Sequence, residues 1–156
     1  LVYITDILKA EKTPYMIMGN GSNILVKDGG YRGVIIRIDD RFSDIQVRGT
    51  SIIAGAGALM SSVARKALEA ELAGFEFASG IPGSIGGGVF MNAGAYGGEI
   101  ADVIEYAKVL EKASGRIKQI PASELELSYR HSALQQSGDI VLEVKLNLKK
   151  GSDGDK

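Results

Sequence analysis

Leu1, Ile4, Ile7 and Leu8 recur at the spacing of one helical face, with Thr5, Asp6 and Lys9 between them, so the pattern predicts a helix over 1–10. It opens without a capping residue or other start signal, and the chain is therefore expected to begin inside a domain. Thr13-Pro14 ends the helix, and the apolar run Tyr15-Met16-Ile17-Met18 has strand length. Gly19-Asn20-Gly21-Ser22-Asn23 then reads as a loop leading to a second strand, Ile24-Leu25-Val26. After turn residues 27–33, the β-branched run Val34 to Ile38 is expected as a mostly buried strand. Ile45-Gln46-Val47-Arg48 and Ser51-Ile52-Ile53-Ala54-Gly55, joined by Gly49-Thr50, predict a hairpin with one wet face.

From Ala58 to Leu72 apolar residues stand at 59, 60, 63, 67, 68 and 72 with Lys, Arg and Glu between them, which predicts an amphipathic helix stopped by Gly74. Phe75 and Phe77 read as core residues. Val103 to Leu110 and Arg116 to Ile120 predict two strands around Ser114-Gly115, and Asp139 to Leu148 predicts a last one. Pro121 to Leu127 has room for one helical turn, and Ser128-Tyr129-Arg130-His131-Ser132 is a polar loop. Lys149 to Lys156 carries no apolar residue and reads as a linker or frayed end.

The stretch from Gly80 to Gly98 fits neither a packed element nor a flexible linker, because its many glycines are interrupted by Ile81, Ile85, Val89 and Phe90. Glycine is needed where φ is positive or where no Cβ can stand between main chain and ligand. Ser84 is a plausible N-cap for a short helix through Val89-Phe90-Met91, and free amides at its start would form an anion site. The alternative is a close-packed helix crossing with a glycine-rich turn. The loop 19–23, a strand opening into Gly-X-Gly-Ser-Asn, has the composition of a second phosphate nest. It lacks the Gly-Lys-Ser/Thr of a P-loop and the helix of a Rossmann turn.

Composition narrows the chemistry. The 156 residues suit one domain, and Lys+Arg 18 against Asp+Glu 19, without runs of like charge, give no footprint for nucleic acid or a membrane surface. With no cysteine and one histidine, disulfides, thiolate metal sites and a cysteine nucleophile are excluded, and a histidine-based metal centre is not expected. Chemistry borrowed from a cofactor is expected, in a cytoplasmic protein.

Gly19-Asn20-Gly21-Ser22-Asn23, Gly80-Ile81-Pro82-Gly83-Ser84-Ile85-Gly86-Gly87, Met91-Asn92-Ala93-Gly94-Ala95-Tyr96-Gly97 and Tyr129-Arg130-His131-Ser132, in this order, resemble the UDP-N-acetylenolpyruvoylglucosamine reductase family across nearly the whole chain. The resemblance implies an α+β fold, the FAD-binding domain of the vanillyl-alcohol-oxidase (PCMH) type, in which a small sheet unit and a larger antiparallel sheet unit with helices hold FAD. It also implies reduction of UDP-N-acetylglucosamine enolpyruvate to UDP-N-acetylmuramate, with hydride from NADPH passed through FAD, in bacterial peptidoglycan synthesis. By the same resemblance Gly19, Asn20, Gly21, Ser22 and Asn23 form the pyrophosphate turn. Gly80, Ile81, Pro82, Gly83, Ser84, Gly87, Gly88, Asn92, Ala93 and Gly94 form the second wall of the FAD site. Arg130 corresponds to the arginine that holds the substrate carboxylate and the developing enolate, and Tyr129 to a substrate contact. His131 reads as a loop residue.

The family's C-terminal substrate domain, with its serine proton donor and catalytic glutamate, has no counterpart in this sequence, nor does the segment preceding the family's first helix. Residues 1–148 are therefore expected to be the FAD-binding domain and 149–156 a linker toward a substrate domain, the isolated chain being inactive. Two other readings stay open: a related flavin oxidase, and a non-catalytic nucleotide- or phosphate-binding module that kept the glycine loops. The Tyr129-Arg130 loop, and the lack of an attachment histidine near either glycine loop, argue against the oxidase.

Overall fold

The computed structural model describes residues 1–152. Helix α1 (Val2–Ala10) turns Thr5 and Leu8 inward, leaving Tyr3, Ile4 and Ile7 exposed. It leads into β1 (Tyr15–Met18), which pairs in parallel with β2 (Val34–Arg37), Tyr15 opposite Val34 and Met18 opposite Arg37. This pairing explains why the expected strand Ile24–Val26 does not form. A parallel partner is entered from the same end, so the intervening chain has to travel back along β1 before pairing can begin. Residues 24–26 lie in that return, outside any strand, with Leu25 95% exposed. Nor is β2 mostly buried: Val34 and Ile35 are exposed, and Ile38, just past the strand, is the residue that enters the core.

β3 (Ile45–Arg48) and β4 (Ser51–Gly55) form the expected hairpin, Arg48 opposite Ser51, with Ile52 and Ala54 of β4 fully buried between half-buried neighbours. α2 (Met60–Glu69) buries Met60, Val63, Ala64 and Ala67, a stripe at helical spacing. The helix ends earlier than its periodicity predicts, at Ala70, with Glu71 in the left-handed region at φ 54. Leu72 is buried, as an apolar period requires, but it is buried on β5 (Leu72–Ala73), not on the helix.

Phe75 and Phe77 are core residues, in an edge-to-face pair with centroids 5.3 Å apart. α3 (Ile85–Met91) follows, then the small hairpin of β6 (Gly94–Ala95) and β7 (Gly98–Glu99). β8 (Ile104–Leu110) and β9 (Ile117–Pro121) pair antiparallel, a short 3-10 turn covers Ala122–Glu124, and α4 (Leu134–Ser137) precedes β10 (Ile140–Asn147). Lys149 and Lys150, expected in a linker, form β11 (Lys149–Lys150) against β5, and the Gly151 amide donates to the Glu71 carbonyl at 2.8 Å. The rest of that expected linker, 153–156, lies outside the described residues.

The architecture is α+β, with the parallel β1–β2 pair as the small unit and a five-stranded antiparallel sheet, β3-β4-β10-β8-β9, as the larger one. The last long strand, β10, is central, placing Val144 between Ala54 of β4 and Ala107 of β8. Against this sheet α2 and α3 bury Met60, Val63, Ile85 and Val89. Because β10 joins the β3–β4 pair to the β8–β9 pair, its fully buried Leu146 stands opposite Ile52 on one side and Ile104 on the other. Leu146→Ala is expected to cost about 2–5 kcal/mol in urea unfolding. Leu25→Ala, in the exposed return segment, is expected to stay within about 0.5 kcal/mol of the parent.

Candidate functional site

One elongated cleft of about 640 Å³ runs between the small unit and the sheet unit. Gly19, Asn20, Gly21, Ser22 and Asn23 leave the end of β1 along one wall. Ile81, Pro82, Gly83, Ser84, Gly87 and Gly88 line the other, and Ala93, Gly94 and Arg130 also reach the cleft. The two glycine segments meet directly, Ser22 Oγ donating to the Pro82 carbonyl at 3.2 Å. Gly83 sits at φ +121, and a Cβ there would come within 2.8 Å of Ser22 Oγ. The missing side chain lets the loops approach this closely without displacing the Ser22 hydroxyl.

Ser84 caps α3 as expected, its hydroxyl accepting from the Gly87 amide at 3.4 Å. The helix start is nevertheless not the anion site that the sequence pattern implies. The Ile85 amide donates to the Ala58 carbonyl at 2.8 Å and the Gly86 amide to the Ala56 carbonyl at 2.9 Å. Those bonds stitch α3 to the chain leaving β4 and satisfy its first-turn donors. The free donors are in the loops. Among the described residues, the amides of Gly21, Ser22, Asn23, Gly83 and Ser84 have no acceptor, and all five residues line the cleft. Two short runs of acceptor-free amides from facing walls have the composition of an anion nest.

Further along, the cleft is bounded by Tyr15, Ile17, Ile140 and Val141, an apolar slot that sequence reasoning missed. Lys112 and Asp139 stand there too: Asp139 Oδ1 accepts the Lys112 amide at 3.0 Å, and Lys112 Nζ lies 5.6 Å from the centroid of the Tyr15 ring. That is within cation–π reach. Lys112 and Arg130 give the cleft two cationic side chains against one carboxylate. Arg130 rises from a tight turn in which Ser128 and His131 exchange amide-to-carbonyl bonds at 3.2 and 3.1 Å. Its Nη2 donates to Asn23 Oδ1 at 3.0 Å, spanning from the sheet unit to the first loop.

Three of the expected site residues are not in the cleft wall. Gly80 is exposed just outside it, Tyr129 is 89% exposed with its side chain in solvent, and Asn92 is buried beneath the wall.

A family model described as "FAD binding domain" matches residues 1–120. The chain is 51% identical over 152 residues to the UDP-N-acetylenolpyruvoylglucosamine reductase of Clostridium kluyveri, covering 97% of this chain and 49% of that protein. It is 49% identical to the same-named reductase of Streptococcus pneumoniae, covering 97% of this chain and 50% of that one. The chain thus spans about half the length of the curated relatives it matches. Among solved structures, the reductase of that name from Thermus caldophilus superposes with a TM-score of 0.81 at 37% identity, covering 94% of this chain and 53% of that one. A 6-hydroxy-D-nicotine oxidase from Arthrobacter nicotinovorans superposes at 0.70 with 18% identity, over 96% of this chain and 34% of that one, a likeness of fold alone. The two-unit flavin-domain fold expected from the motifs is the fold of this chain.

Gly86 and Gly87, adjacent on α3, both border the cleft but differ in how tightly they are packed. A Cβ on Gly86 would lie 2.8 Å from Ala56 Cβ and 3.0 Å from its carbonyl oxygen, whereas one on Gly87 would meet only Ser84 Oγ, at 3.5 Å. Gly86→Ala is expected to destabilise by about 1–3 kcal/mol through overpacking. Gly87→Ala is expected to stabilise by roughly 0.5–1 kcal/mol through helix propensity, both read from urea midpoints.

Proposed function

Because the chain belongs to the family of FAD binding domains, we propose that its cleft holds FAD, and that it is the cofactor-binding half of a cytoplasmic NADPH-dependent UDP-N-acetylenolpyruvoylglucosamine reductase. The observation that carries the reading is the pair of facing amide runs at 21–23 and 83–84. Their sign suits a diphosphate, and the apolar lining by Tyr15, Ile17, Ile140 and Val141 suits a heterocycle further along the cleft. Half identity to the reductases along 97% of the chain supports the choice among flavoproteins.

In this reading Gly21, Ser22, Asn23, Gly83 and Ser84 hold the pyrophosphate through their main chain, and Gly87 and Gly88 let it approach α3. Bound FAD would relay hydride from NADPH to the vinyl carbon of the enolpyruvyl group. Arg130 binds the substrate carboxylate. Addition conjugate to a carboxylate builds negative charge on that group, and a guanidinium fixed beforehand stabilises the charge as it grows. The half of the relatives that this chain does not span is assigned the proton donor and the wall that shuts out water.

The cofactor reading is tested by titrating the chain with FAD and following flavin fluorescence. Saturable quenching is expected, and Gly87→Val is expected to weaken it at least about tenfold while the protein stays folded, since Gly87 lines the cleft and a Cβ there meets only Ser84 Oγ. Gly21 and Gly83 are poorer choices, because φ of +76 and +121 would strain any side chain there. In the full-length protein, Arg130→Ala is expected to lower kcat for substrate-dependent NADPH oxidation by roughly 10²- to 10³-fold. An unchanged kcat would remove Arg130 from the chemistry.

A further inference from the structure

Asn92 closes α3 in the left-handed region, at φ 47. It is 4% exposed and does not line the cleft. Both ends of its amide are engaged with other segments: Nδ2 donates to the Ser128 carbonyl at 3.0 Å, and Oδ1 accepts the Ala101 amide at 2.9 Å. Ser128 is the first residue of the turn that carries Arg130. The other side of that turn is tied to the same helix end. Fully buried Ser132 donates from Oγ to the Phe90 carbonyl at 2.7 Å, and Gln135 Nε2 donates to the carbonyls of Phe90 at 3.3 Å and Arg130 at 3.0 Å.

We propose that Asn92 is a positioning residue for Arg130, and that the C-terminal turn of α3 is the mount on which the anion-binding guanidinium is held. The inference rests on the reading of Arg130 as the substrate-carboxylate anchor.

A helix cap alone explains only part of Asn92. Capping at this φ asks for glycine or asparagine, and glycine meets it without a side chain. The cap does not require an amide that binds two other segments. Those bonds become intelligible through Arg130, which occupies the second central position of its turn at φ 48, where glycine is the usual residue. A strained position persists when its surroundings over-determine it. Here Asn92 fixes the backbone entering the turn, Ser132 and Gln135 fix the backbone leaving it, and Asn23 receives the guanidinium. An arginine so held meets a growing charge with little rearrangement.

The test uses the FAD-loaded chain with two substitutions. Asn92→Gly keeps the left-handed cap and deletes both side-chain bonds. Gln135→Leu deletes the tie on the Arg130 carbonyl at an exposed site and stays folded if the first variant does not. Four quantities are read: FAD affinity by fluorescence, the urea unfolding midpoint, exchange of the Ser128 and His131 amides, and the 15N signals of the Arg130 guanidinium, which split when rotation about its Nε–Cζ bond is hindered. The expected result in each variant is FAD affinity within about threefold of the parent. Amide exchange in the turn is expected to rise about tenfold or more, with averaged guanidinium signals. A merely structural role would lower the unfolding midpoint and leave the guanidinium signature as it was, which would overturn the inference. A large loss of FAD affinity with an unchanged turn would overturn it too, making Asn92 a cofactor contact. If the parent chain binds no FAD, the cofactor reading fails, and the exchange and guanidinium data still decide this one.

Discussion

The structure depends on how closely the backbone of α3 lies against the chain leaving β4. Ile85 and Gly86 donate their amides to Ala58 and Ala56, and Gly86 leaves no side chain between the two backbones. A helix held only by side-chain packing could slide or rotate by fractions of an ångström. One stitched by main-chain bonds at its first turn is fixed in height and register. The preceding loop then falls against Ser22, and the cleft acquires its second wall.

Fixing α3 at that end has consequences at both ends. At the start it uses the helix's own donors, while the loop amides at 21–23 and 83–84 are left without acceptors among the described residues. At the far end the Phe90 carbonyl and the Asn92 side chain become anchor points for residues 128–135. A seven-residue helix therefore sets both one wall of the cleft and the end to which the Arg130 turn is tied. Arg130 completes the frame by reaching Asn23 across the cleft, linking sheet unit to small unit through a bond 107 residues apart in sequence.

Much of this was legible where it is local. Ser84 before a glycine-rich apolar run gave the cap and the helix, Gly49-Thr50 between alternating runs gave the hairpin, and the spacing of Met60, Val63 and Ala67 gave α2. What stayed hidden is set by pairing between distant segments. Nothing in Ile24-Leu25-Val26 says that β1 will take a parallel partner and leave these residues in the return. Leu72 keeps the helical period although it pairs with Lys150. Lys112 and Asp139 carry no motif, and they reach the cleft because β10 lies beside β8 in the sheet. Asn92 reads like the glycines around it, since sequence order cannot tell a residue in the wall of a site from one directly behind it.

In the proposed function, loop amides and not the start of α3 receive the cofactor's phosphates. Amide 1H–15N spectra of the chain recorded during titration with FAD test it most directly. The largest shifts are predicted at Gly21, Ser22, Asn23, Gly83 and Ser84, whose amides lack an acceptor among the described residues, with small ones at Ile85 and Gly86. Shifts concentrated at Ile85 and Gly86, or spread over residues away from the cleft, would contradict the account.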